Sequence, residues 1–212
     1  MCAVKSNLNG GIFIMREFWN PRGVLSLRNL TVMAMLLAIR VILDQFTVQL
    51  GAGIIVFRVT FIPMSMVAYL FGPWAALIFG ILGDSLGFLT RGGGAYFPGF
   101  AISEAIICLI YALFTYRRPV DNLKNLIIRV TIARICIAIF VFFGLNFLWF
   151  RIMAELGLVP SFLAQPAAFF IASYRLVTNS VLLPMYIALS VMAIKLARRL
   201  EDSRVLHPRR KE

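Results

Sequence analysis

Arg58, Asp84, Glu104 and Arg175 are ionisable residues set inside long apolar stretches. A charge near the centre of a bilayer costs roughly 2.5–3.5 kcal/mol on insertion scales. Each of these side chains therefore needs a partner or a ligand. They fall on four different apolar segments: Arg58 opens one, Asp84 lies in the outer half of the next, Glu104 stands two turns into a third, and Arg175 opens the last. All four sit at similar depth. Two readings follow. The charges form two internal salt bridges, or they line a polar pocket open to the outside.

The stretch Thr90–Phe100, TRGGGAYFPGF, lies at the same level. A plain connector needs only polar turn residues. This one carries Arg91, three consecutive glycines, and Tyr96, Phe97 and Phe100. The glycines give a hinge that opens and closes, and the rings would ride on it as a lid. Trp149 joins Tyr96 and Phe97 as a flat face for a ligand; the alternative for each is the interfacial aromatic belt. Asn146 and Asn179 are amides inside apolar segments, where an unsatisfied polar group is costly. They bond across helices or hold a ligand.

The elements that must carry these residues are membrane spans. Of 212 residues, 61% are hydrophobic and only 14% charged. The mean hydropathy is +0.88. Several windows approach the ~20 apolar residues that cross a bilayer, and they are continuous rather than alternating, which argues against a β-barrel. The reading is an all-α integral membrane protein with six spans: 27–46, 58–71, 74–89, 97–116, 130–153 and 173–196. Residues 1–26 form a cytoplasmic N-terminal segment, 27–200 the six-helix membrane domain, and 201–212 a charged cytoplasmic tail. Outer loops follow spans 1, 3 and 5 (47–57, 90–96 and 154–172) and cap the pocket. Phe71-Gly72-Pro73 reads as a tight turn between spans 2 and 3.

The net charge of +12 is a topology signal rather than a nucleic-acid footprint. Basic residues crowd before span 1, between spans 4 and 5, and in the tail. With six spans these all fall on one side, which the positive-inside rule makes cytoplasmic. The expected location is a prokaryotic plasma membrane, crossed several times, with both termini inside and no nucleic-acid partner. The spacing of Arg40 and Asp44 predicts a pair on one face of span 1. Arg134, a turn into span 5, is expected to snorkel to the cytoplasmic face.

Catalytic equipment is sparse. The only histidine, His207, lies in the tail, which disfavours His-dependent nucleophiles and His-rich metal sites. No GxxxxGK[ST] phosphate loop is present. Cys2, Cys108 and Cys136 have no metal-ligand spacing and are expected to form no disulfide. The reading is a binder or conduit without cofactor or metal, not an enzyme.

Four stretches carry a family likeness: FRVTFIPMSMVAYLFGPWAALIFGILGD (57–84), YFPGFAISEAIICLIYALF (96–114), LNFLW (145–149) and RLVTNSVLLPMY (175–186). In order and spacing they resemble the folate-type S components of energy-coupling factor (ECF) vitamin transporters. The resemblance implies a six-helix subunit that binds its vitamin from outside. It then docks on a transmembrane scaffold subunit carrying two cytoplasmic ATPases. It also implies that Ala34 and Ala38 form the docking element, since small residues one turn apart let helices touch. Asp84 or Glu104 would accept two parallel bonds from the pterin edge of folate. Tyr96, Phe97 or Trp149 would stack on its rings, and Arg58, Arg91 or Arg175 would fork onto its tail carboxylates. Two positions depart from the folate pattern: Thr178 replaces a basic residue and Glu104 a small one. Both suit a ligand with less negative charge, so a cobalamin-type, pyridoxine-related or thiazole/pyrimidine ligand stays open. So, outside the family, do a stand-alone channel and a structural membrane protein, with a membrane enzyme third.

Overall fold

The computed structural model describes residues 26–46, 48–50, 55–91, 96–118, 122–157 and 181–202. Among the described residues the helices are, in chain order, α1 (Leu27–Gln45), α2 (Phe61–Phe71), α3 (Pro73–Arg91), α4 (Pro98–Thr115), α5 (Leu123–Glu155) and α6 (Leu183–Asp202). Among the described residues, α3, α4 and α5 are long and apolar enough to cross a membrane; α2 is a shorter apolar helix. Arg175 and Asn179, Gly92–Ala95 of the glycine hinge, and most of the third outer loop lie outside the described residues.

The first outer loop, expected to be irregular, contains an antiparallel two-stranded ribbon, β1 (Val48–Leu50) with β2 (Ile55–Phe57). Val48 faces Phe57 and Leu50 faces Ile55. Val and Ile suit such a pleated pair. The helix of the second span begins at Phe61, three residues after the expected Arg58. The turn after it is as read from sequence. Gly72 has φ +83, and a Cβ there would meet the Tyr116 ring at 2.7 Å. Glycine thus serves both the backbone and the packing.

The core lies where α2 is covered by α3, α4 and α6; all of α2 except Ile62 is buried. Pairs of residues give the directions. Arg40 meets Gly83 and Gln45 meets Thr90, so α1 and α3 run parallel. Gly80 packs on the Ala105 backbone, so α3 and α4 run antiparallel along the most extensive interface.

Helix α5 changes pitch. From Ile137 to Leu145 it is π-helical, and the Asn146 N–H bonds the Val141 carbonyl five residues back. Buried positions follow α-spacing at Val130, Ala133, Ile137 and Val141, then step by five to Asn146. Without that wider turn the bundle-facing register would pass to residues 145 and 148; Leu148 is instead exposed. The π-stretch therefore keeps Asn146 buried and brings Trp149 to Ser103 of α4, in keeping with the frequent use of such turns at functional sites.

Candidate functional site

The charges of α1 do not satisfy one another. Arg40, 3% exposed, donates from Nη1 to the Phe79 and Gly80 carbonyls at 3.0 and 3.3 Å. From Nη2 it donates to Glu104 Oε2 at 3.1 Å. Asp44 pairs with Arg91, Oδ2 to Nε at 3.2 Å. The i,i+4 pair expected on α1 thus gives way to two cross-helix ion pairs. The cause is on α3: a Cβ at Gly83 would overlap the Arg40 guanidinium, and one at Gly87 would overlap Asp44 Oδ2. The glycines are notches into which the two charges fit. Replacing Gly83 with alanine should destabilise the fold by roughly 1–3 kcal/mol through overpacking. A lowered melting temperature in detergent, with Gly83→Ala costing less in an Arg40→Met background than in the wild type, would show it.

Glu104 is shared. Its Oε1 lies 3.7 Å from Arg58 Nη1, while Oε2 belongs to Arg40. Arg58 and Glu104, two of the four charges singled out in the sequence, thus meet, and Arg40, which the sequence pairs with Asp44, is a third member. Arg58 is loosely held: its Nε is buried and makes no hydrogen bond.

Asp84 differs. It is 8% exposed and lies within the electrostatic reach of Glu104, Arg40, Arg58 and Arg91. Among the described residues its carboxylate has no hydrogen-bond or ion-pair partner. A buried carboxylate so placed is expensive, and all the nearby arginine contacts go to other oxygens.

Aromatic residues gather beside these charges. The Tyr96 hydroxyl hydrogen-bonds Ser85 Oγ at 2.9 Å, next in sequence to Asp84, and its ring leans on Phe88 at 5.0 Å. Phe97 packs edge-to-face on Trp149 at 5.7 Å and on Phe100 at 5.9 Å. Trp149 Nε1 donates to Ser103 Oγ at 2.9 Å, beside Glu104. Gly99 makes this possible, since a Cβ there would strike the Phe97 and Trp149 rings. Asn146 is buried on α5 one turn from Trp149. Arg91 caps α3, donating from Nε to the Gly87 carbonyl at 3.1 Å as well as to Asp44. Ser85 and Ser103 escaped notice in the sequence, since a lone serine in a span carries no signal there.

Arg134 does not snorkel. It is buried in the bundle with its Cζ 4.4 Å from the Phe61 ring centroid, 4.5 Å from Tyr186 and 5.4 Å from Tyr111. Three rings from three helices hold it by cation–π attraction.

Charges brought together beneath an aromatic cover suit capture of a polar, flat molecule. A model of the family described as "ECF transporter, substrate-specific component" matches residues 28–195. The chain belongs to that family. This S component is also 29% identical over 169 residues to the folate transporter FolT of Clostridium novyi (strain NT), covering 80% of this chain and 89% of that one. It is 32% identical over 168 residues to the folate transporter FolT of Leuconostoc mesenteroides subsp. mesenteroides, covering 78% and 84%. In fold, the S component is similar to a solved structure titled "Crystal structure of FolT bound with folic acid". The TM-score is 0.62 at 23% identity, over 80% of this chain and 92% of that one.

Proposed function

We propose that this S component captures folate from outside the cell and delivers it through an ECF importer. The observation that carries the reading is Asp84, a buried carboxylate without a hydrogen-bond or ion-pair partner among the described residues, in a chain whose curated relatives are folate transporters. The pterin of folate presents adjacent N–H donors in one plane, the complement of a carboxylate. Sequence alone left Asp84 and Glu104 level. Glu104 is already held by Arg40 and Arg58, which favours Asp84 as the acceptor. Tyr96, Phe97 and Trp149 would cover the rings, with Asn146 at the side. Arg58, Arg91 and Arg175 would meet the tail carboxylates outside, with Asn179 beside Arg175.

The topology that goes with this reading has six spans, with α1, α2 and α6 completing the three apolar helices, and both termini in the cytoplasm. The protein sits in the plasma membrane as the substrate-binding partner of a scaffold and two ATPases. Ala34 and Ala38 are exposed on α1 while Arg40 and Asp44 are buried, as a docking seam requires.

Proteoliposomes holding the S component with a scaffold and its ATPases should take up radiolabelled folate only with ATP inside the compartment of the ATPases. Replacing both Ala34 and Ala38 with leucine should leave folate binding within about twofold while reducing assembly and uptake at least ~10-fold, since two bulky side chains spoil close helix packing. Uptake of another vitamin and not of folate would overturn the ligand assignment. Uptake that survives without the partners would overturn the S-component mechanism.

A further inference from the structure

Arg134 is 6% exposed, and its Nε and Nη2 are sealed from solvent without a hydrogen-bond acceptor. These two N–H groups share one edge of the planar guanidinium and point in parallel. They form the fork that takes two adjacent acceptor atoms. Phe61, Tyr186 and Tyr111 surround the guanidinium, and such rings return part of its desolvation through cation–π attraction. They cannot accept the two edge-on donors, and a buried donor left unmade is the costly half of a hydrogen bond. Arg58 Nε, one turn before Phe61, is also buried and unclaimed. By contrast, Arg40 and Arg91 are engaged with carboxylates and carbonyls.

The box lies below the charged layer. Glu104, Cys108 and Tyr111 recur at i, i+4 and i+7 on one face of α4, so Tyr111 stands about 10 Å further along that helix than Glu104. One wall of the box is Phe61, set edge-to-face on Tyr186 at 4.9 Å. Phe61 is the first residue of α2, and its lead-in, Arg58–Thr60, is not helical.

We propose that Arg134 is a ligand-binding residue at the floor of the pocket. Its fork takes the acceptor edge of a fused nitrogen heteroaromatic, a ring carbonyl beside a ring nitrogen, with Phe61, Tyr111 and Tyr186 as walls. The proposal rests on the folate reading. A pterin carries such an edge, its C4 carbonyl next to N5, beside the N–H groups assigned to Asp84. The pairing is that of arginine with the O6 and N7 of guanine, a strong two-bond contact. It sets the ring deep and the charged tail outward.

Calorimetry on the purified full chain tests this with folate, pteroate (the same ring without the glutamate tail) and p-aminobenzoyl-glutamate (the tail without the pterin). Arg134→Met should weaken folate and pteroate alike by about 100-fold, the discrimination of a bidentate arginine contact. Arg134→Lys keeps the charge and loses the fork, and should still lose at least ~10-fold for both. It also serves if the methionine variant does not fold. A loss confined to the tail-bearing ligands would overturn the ring assignment. A lowered melting temperature with unchanged affinity for folate and pteroate would reduce Arg134 to a structural cation. Wild-type protein that binds neither ligand would sink the folate reading itself, and the floor proposal with it. Wild-type binding matched by the lysine variant would sink only the latter.

Discussion

Arg40→Met should destabilise the protein by about 3–5 kcal/mol, the usual cost of removing one partner from a buried ion pair. Glu104 would be left with Arg58 alone, 3.7 Å away, and would swing toward it. The Phe79 and Gly80 carbonyls lose little, since they also serve their own helix. Folate affinity should fall at least ~10-fold, because a freed Glu104 adds a second negative charge facing the ligand and takes Arg58 out of play. Adding Glu104→Gln to Arg40→Met should recover part of the stability, since the orphaned charge goes. A double-mutant cycle in thermal denaturation should give a coupling of roughly 1–3 kcal/mol between the two positions, as for residues in one network. Additive losses would mean that Arg40 acts through the Gly83 notch and the backbone carbonyls instead.

The second large effect has the opposite sign in stability. Asp84→Asn should raise the folate Kd by ~100-fold or more, about 2.7 kcal/mol at 1.4 kcal/mol per decade. The asparagine amide presents one acceptor where the pterin edge needs two. The unliganded protein should be no less stable, and more stable if anything, because an unpaired buried carboxylate is removed at nearly constant volume. Functional groups held at a cost to the fold show this pattern. A drop in melting temperature with intact folate binding would make Asp84 a structural residue.

Much of the architecture was legible because it rests on local rules. Continuous apolar runs marked the helices, and Gly72-Pro73 marked the hairpin between α2 and α3. What escaped depended on partners distant in sequence. Arg40 and Asp44 have the spacing of a pair, and only the facing notches at Gly83 and Gly87 explain why they leave each other. Arg134 has the placement of a snorkelling residue, but Phe61, Tyr111 and Tyr186 come from three other helices to enclose it. The π-stretch in α5 has no compositional mark; apolar residues on all sides of 137–145 hide a change of pitch. Helix α2 starts at Phe61 because Arg58–Thr60, read as its first turn by hydropathy, is not helical. Within the candidate site, the residue types were readable and the bonds among them were not. A charge in a span announces that it needs a partner without saying which.

The account stands on capture of folate by this chain itself, before any partner is present. Calorimetric titration of the purified protein with folate, alongside cobalamin, pyridoxine and the thiazole and pyrimidine precursors, measures that directly. Saturable folate binding at one site per chain, much tighter than for any of the others and weakened by Asp84→Asn, is the predicted result. No heat with folate, together with tight binding of one of the other compounds, would contradict it.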